Sequence, residues 1–346
     1  MRQKQMRHQR RTIALLLVLL LVAAAFSGCA EKGEKFPAKA VTVVVPYSAG
    51  GTTDLTGRAL AKALEAELGV TVVVENKAGA SGAIGTEYVA ASKKDGYTLL
   101  LSADSLGTQR VMGLSDYSYG DFEVLSPVTN DPKVIVVAAG SPYETLDALL
   151  DDLKARPGKV RMSYTGPGGS GHIQSLIYEK LGYTAALTAY PGGKDCIVSV
   201  LGGDTDFTNS NYSTVRPYVE AGQLRILAVS EKDPIPGLAD VPTVRETVPG
   251  SDGLFRVEFT PLTLLAPKGV PADVLETLKA ATARALRSEA FLAYCDDNSL
   301  DRLFEKYDTA DKQTAYYAAW ESIVSWLLWD AGAAQRSPEE FDIPRP

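Results

Sequence analysis

Val41-Thr42-Val43-Val44-Val45-Pro46-Tyr47-Ser48-Ala49-Gly50-Gly51-Thr52-Thr53-Asp54 decides the fold. The β-branched run reads as a strand buried on both faces, the kind found in parallel sheets. It stops at Pro46, turns through Gly50 and Gly51, and opens a helix at Thr52, Thr53 and Asp54, all good cap residues. A strand that ends in glycines and feeds a helix start points free backbone N–H groups outward. The helix dipole then makes the spot suit an anion. Asp54 is either the cap of that helix or a carboxylate facing a cleft.

Outward from this stretch, residues 55–68 keep apolar side chains at helical spacing and stop at Gly69. Residues 70–75 read as a second buried strand, 76–82 as a glycine-rich turn, 83–92 as a helix and 97–102 as a third strand. That alternation is a doubly wound α/β unit. Residues 106–129 read as irregular. A second unit follows, with strands at 133–138, 160–165, 185–190, 206–210 and 224–229 and helices at 146–155, 173–181, 194–201 and 215–220. Residues 235–248 form a proline-punctuated loop. The strand at 259–266 is expected to return to the first lobe, before helices at 271–287, 289–294 and 311–331 and a polar tail from 337. On the last helix Trp320, Ile323, Trp326 and Leu327 line one face, as core packing would have them. Two lobes crossed twice make a clamshell, with 39–138 and 260–346 in one lobe and 139–259 in the other. Such clefts are where ligands sit.

The first 28 residues stand apart. Arg2, Lys4, Arg7, Arg10 and Arg11 precede an apolar run over 13–26, shorter than the roughly 20 residues that span a bilayer. This is a secretory leader, and its end, Phe26-Ser27-Gly28-Cys29, resembles a bacterial lipobox. Cys29 is then the lipidated N-terminus and 29–38 a tether, so the protein is expected to be exported and anchored by lipid, facing the periplasm or the cell exterior. Removing the leader's five basic residues leaves 30 basic against 42 acidic, a net charge of −12. Nucleic acid is excluded as a partner, because it calls for a basic stripe.

Chemistry-bearing residues are scarce. Beyond the leader and Cys29 there are Cys196, Cys295 and one histidine, His172, with no metal-ligand spacing. The two cysteines are expected to be buried free thiols. Gly166-Pro167-Gly168-Gly169-Ser170-Gly171 formally matches the dinucleotide fingerprint, but Tyr190-Pro191 stands where the ribose-binding acid belongs. What survives is a second helix start, with bare backbone donors and the hydroxyls of Thr165 and Ser170. His172 fits no GxSxG nucleophile elbow; it is a donor at the helix start or a structural residue. Asp206 either points into the cleft or caps a turn. Neither a cofactor nor an activated nucleophile is indicated, so the chain is not expected to be an enzyme.

Several blocks in order resemble the solute-binding receptors of tripartite tricarboxylate transporters, the Bug or TctC-like family. They are residues 45–54, the run Glu75-Asn76-Lys77-Ala78-Gly79-Ala80-Ser81-Gly82-Ala83-Ile84-Gly85, Asp95-Gly96-Tyr97-Thr98-Leu99-Leu100, Tyr190-Pro191-Gly192-Gly193, residues 201–206, residues 221–229 and Asp240-Val241-Pro242-Thr243. The resemblance implies a two-lobed periplasmic-binding-protein (Venus-flytrap, type II-like) fold. It implies a monomeric receptor that takes a small organic acid (a mono-, di- or tricarboxylate, or an amino acid) and delivers it to integral-membrane permease subunits. Carried over by position, the contacts fall on Tyr47, Ser48, Ala49, Gly50, Gly51, Thr52 and Asp54, on Ala80, Ser81 and Gly82, on Ser102 and Ala103, on Thr165, Gly168, Gly169 and Ser170, and on Ser210 and Asn211. Ser210 stands where the family often has Asp, and Tyr47 replaces a usual Phe, adding a hydroxyl near the pocket mouth. Two rivals remain: a receptor that reports to a sensor kinase, and an exported enzyme acting on a carboxylate.

Overall fold

Val41–Val45 forms strand β1, buried at four of its five positions. It lies parallel to β2 (Val72–Asn76) on one side and β3 (Thr98–Ser102) on the other. The computed structural model describes residue 6 and residues 35–231, 234–235, 237–251 and 253–346; the leader and Cys29 fall outside the described residues. Residues Lys39–Pro346 pack as one compact unit.

Two sheets organise the unit. The first has the order β11-β4-β10-β3-β1-β2, where β4 is Phe122–Asn130, β10 Pro261–Pro267 and β11 the short Asp301–Arg302. The second runs β7-β6-β8-β5-β9, comprising Ala186–Ala189, Arg161–Tyr164, Phe207–Asn211, Lys133–Ala138 and Leu224–Val229. Helices α1 (Thr52–Leu68), α2 (Ala83–Ala90), α8 (Ala272–Leu286), α9 (Glu289–Asp297), α10 (Leu303–Lys306) and α11 (Ala310–Asp330) accompany the first sheet in sequence. Helices α3 (Leu146–Ala155), α4 (Ser170–Lys180), α5 (Gly193–Leu201), α6 (Tyr212–Glu220) and α7 (Val244–Thr247) fall between the two chain crossings.

Four expectations need correcting. Strand β2 is half-exposed rather than buried, because it is the edge of its sheet. Residues 106–129 are not irregular throughout: they run into the nine-residue β4, whose Pro127 and scattered polar residues hide a strand. Its pairing with β10 shifts register between Pro261 and Thr263 and again between Leu264 and Leu265. Strand β5 belongs to the second sheet, paired with β8 and β9, so the chain first crosses at Asp131 and Pro132 and not after Ala138. A wholly apolar strand looks the same in either sheet, and only its partners decide. The C-terminal tail packs: Ile343 is buried, and Trp326 Nε1 and Ser322 Oγ donate to the carbonyls of Ile343 and Pro344.

The strand expected to return does so: β10 is buried throughout and pairs with β3 and β4. Within the proline-rich loop, Thr243-Val244-Arg245-Glu246 closes a reciprocal capping box that starts α7. On α11, Trp320 and Trp326 are buried as expected, whereas Ile323 and Leu327 are half-buried along a surface groove shared with α4. Cys196 and Cys295 are both free and buried.

Candidate functional site

The site is built from loops at the C-terminal ends of strands in both sheets, where α/β folds place their ligands. Three helix starts converge there: Gly51, Thr52 and Thr53 of α1, Ser170 of α4, and Gly192 and Gly193 of α5. Tyr47, Ser48, Asp54, Ala103, Asp104, Lys133, Thr165, Asn211 and Thr260 complete a cavity of about 30 Å³. That holds a water or two. A groove of about 600 Å³ between α4 and α11 is larger, but its wall mixes Leu176, Ile323, Trp326 and Leu327 with Glu179, Lys180, Arg256, Asp330 and Arg345, and no helix start lines it.

The first loop is shaped by Asp54. Its carboxylate accepts from the Gly50 amide (2.9 Å), Asn76 Nδ2 (3.0 Å) and Arg58 Nη2 (2.8 Å). Burial pushes its pKa up, but Arg58, Gly50 and Asn76 outweigh this and hold it below the usual carboxylate range. Asp54 therefore braces the loop from beneath; the cap position belongs to Gly51. Gly50, at φ 86°, supplies the left-handed turn that lets its amide point back. The Tyr47 hydroxyl is not at the mouth. It meets Ser105 Oγ at 2.5 Å, and that hydroxyl donates to the Ser81 carbonyl at 2.7 Å. Burial raises the Tyr47 pKa, keeping it neutral.

The crossing between sheets carries the second cluster. Asp131 accepts from the Thr52 hydroxyl of the first lobe and from the hydroxyl and amide of Ser213 in the second. Asn211 Nδ2 donates to the Asp131 carbonyl (2.8 Å) and to Thr260 Oγ1 (2.9 Å), and the Thr260 amide donates to Asn130 Oδ1 (2.9 Å). Both crossings are thus tied to one another and to two helix starts. Lys133 is buried, donates from Nζ to Asn211 Oδ1 (3.1 Å), and from its amide to Glu231 Oε1 (3.0 Å). Burial lowers its pKa, and the nearby Asp104 and Asp131 charges counter that.

Burial pushes the Asp131 carboxyl up to about 6, against the three donors that favour its charged form. Because the folded pKa lies above the unfolded value of about 3.9, the folded chain holds the proton more tightly. Stability should therefore fall as pH rises from about 4 to 6 and level off above, by on the order of 3 kcal/mol from this residue. Urea unfolding of the wild type and of Asp131→Asn between pH 4 and 7.5 tests it. The difference between the two curves should slope through that window; a flat difference would reject it.

Asp104 is the member no sequence reading anticipated. It follows β3, is buried, lines the cavity, and its Oδ2 accepts from the Ser170 amide at the start of α4. A first-lobe carboxylate thus sits on a second-lobe helix start. Burial raises its pKa and Lys133 opposes that. Other contacts bring the lobes together: Ser48 Oγ donates to Asp195 Oδ2 (2.5 Å), and Thr108 Oγ1 to the Gly168 carbonyl (2.8 Å).

Among the expected residues, Tyr47, Ser48, Gly51, Thr52, Asp54, Ala103, Thr165, Ser170 and Asn211 line the cavity. Ala49, Gly50, Ala80, Ser81, Gly82, Ser102, Gly168, Gly169 and Ser210 stand outside its wall. Ala80 and Ser81 lie at φ 47° and 49°, in a supporting turn held by Ser105. His172 stands off the cavity wall: its Nδ1 accepts from the Gly168 amide at 3.1 Å, and burial lowers its pKa. Asp206 is at the far end of β8, bound to Arg161 through its amide and guanidinium (2.7 Å each). Lys133, Asp131, Thr260, Gly192 and Gly193 were missed. The signal for Asp104 was an acid two residues past a strand's C-terminal end, on the edge where ligands bind.

The receptor family of tripartite tricarboxylate transporters has a sequence profile that matches residues 56–323. Protein BugT of Bordetella pertussis is 32% identical over 287 residues, spanning 81% of this chain and 86% of that protein. A UPF0065 protein from the tcbD–tcbE intergenic region of Pseudomonas sp. is 30% identical over 281 residues, 80% of this chain and 82% of that one. The periplasmic binding protein BugD superposes with a TM-score of 0.79 at 28% identity, over 86% of this chain and 99% of that one. MatC from Rhodopseudomonas palustris, with bound malate, shares the fold at TM-score 0.73 and 24% identity, over 84% of this chain and 100% of that one. The chain belongs to the tripartite tricarboxylate transporter family of extracytoplasmic solute-binding receptors.

Proposed function

We propose that this receptor captures a small organic carboxylate in the cleft between its sheets, performs no chemistry on it, and hands it to the membrane subunits of its transporter. The observation that carries the reading is the meeting of three helix starts, with the hydroxyls of Ser48, Thr52, Thr165 and Ser170, on one cavity. Each dipole favours an anion by about 0.3–1 kcal/mol, and amide bonds to a carboxylate add more. MatC, of the same fold, holds malate. The cavity is too small for such a molecule, so the lobes part to admit it, turning about Asp131–Pro132 and Thr260. Their closure on the ligand is then what the transporter senses. Cys29, at the end of a basic and then apolar leader, is the acylation site that would tether the receptor at the membrane.

Thermal shift of the chain from residue 30 onward, refolded from urea to strip retained solute, tests this against mono-, di- and tricarboxylates and amino acids. At 100 times its Kd a ligand adds about 2.7 kcal/mol, a shift of a few degrees for a chain this size. A panel with no shift at all would remove carboxylate capture.

A further inference from the structure

We infer that the captured solute carries a positively charged nitrogen opposite its carboxylate, an amino-acid type of zwitterion, and that Asp104 selects it. This rests on the carboxylate-receptor reading above. A plain dicarboxylate would span the cleft with one end on the starts of α1 and α5 and the other on the start of α4. The α4 end already has an anion: Asp104 reaches from the first lobe to accept from the Ser170 amide, and it is 6% exposed on the cavity wall. A second carboxylate there would lie against the first.

The surrounding charges sharpen the choice. One buried ammonium, Lys133, stands among three buried carboxylates, Asp104, Asp131 and Glu231. Asp131 is engaged by Thr52 and Ser213, and Glu231 by the Lys133 amide. Asp54 and Asp195, the other acids near the helix starts, are bound to Arg58 and Ser48. Of these acids, Asp104 is the one on the cavity wall whose hydrogen bond reaches across the cleft to a backbone amide, a donor that parts from it when the lobes separate. A dianion would bring a second carboxylate against Asp104, and the buried ammonium beside these acids, Lys133, is already engaged by Asn211. A zwitterion lays its one carboxylate on the amides of α1 and α5 and gives Asp104 a cation to pair with.

The test is calorimetry of the refolded chain with matched probes in which an ammonium replaces one carboxylate: glycine with malonate, β-alanine with succinate, 4-aminobutyrate with glutarate, and the twenty common amino acids. Each is run on the wild type, on Asp104→Asn and, should that fail to fold by circular dichroism, on Asp104→Ser. The wild type should favour a zwitterion over its matched dicarboxylate at least tenfold. The Asp104 variant should weaken the zwitterion at least tenfold and tighten a dicarboxylate. A dicarboxylate preferred by the wild type, or a zwitterion whose affinity ignores Asp104, overturns the inference and leaves the receptor reading standing. Silence from every probe with both proteins, and from the wider panel of mono- and tricarboxylates above, overturns both.

Discussion

Gly192→Val should fold normally and bind its carboxylate about a hundredfold more weakly, a loss of about 2.7 kcal/mol. A Cβ at Gly192 would lie 2.0 Å from Ser48 Oγ, 3.2 Å from its Cβ and 3.3 Å from its amide nitrogen. Ser48 belongs to the first lobe and Gly192 to the second, so the collision arises when the lobes meet. Rotating the hydroxyl away forfeits its bond to Asp195 and still leaves the other two contacts tight. The Gly192 backbone is extended, at φ −167°, so valine meets no local strain. Calorimetry with the best ligand of the panel reads the loss, and small-angle scattering should show a more open chain. Gly192→Ala, which brings a single Cβ rather than three side-chain carbons against Ser48, should lose less affinity than the valine. Wild-type binding by Gly192→Val would mean that capture does not need these loops in contact.

Trp320→Ala should be the most damaging single truncation of the core, costing about 3–5 kcal/mol in urea unfolding followed by circular dichroism. Trp320 is 1% exposed and among the largest fully buried side chains. Its ring packs edge-on against Tyr119, at 6.4 Å between centroids, and closely over Gly107, while Nε1 donates to the Glu258 carbonyl at 2.8 Å. Losing the ring leaves a void and an unpaired carbonyl together. Gly107 lies in the same turn as Asp104, so the variant should also loosen the cleft. A loss below about 1 kcal/mol would show that α11 repacks over the gap.

Much of this architecture was readable from residues. The run from Val41 to Asp54 is a buried strand, a glycine turn and a helix start, and each has a local cause: β-branching, Pro46, and the small residues at 50 and 51. The same logic located the start of α4. Pairing was not readable, because β5 carries no mark of the sheet it joins and β4 needed β10 beside it to count as a strand. Polar roles failed where they depend on distant neighbours. Asp206 looked like a cleft acid until Arg161 met it from the next strand. Asp104 went unread, because its role depends on the fold carrying Ser170 up to it.

The two buried thiols have a practical meaning. Cys196 and Cys295 are 1% and 0% exposed, and burial pushes both pKa values up to about 12. Almost no thiolate forms at neutral pH, and what forms is out of reach of a reagent. They neither exchange disulfides nor take a maleimide while the chain is folded. A reporter cysteine placed at exposed Val198 on α5 would therefore react alone in the chain from residue 30. The opening and shutting of this receptor can be followed with a fluorophore on an otherwise native interior.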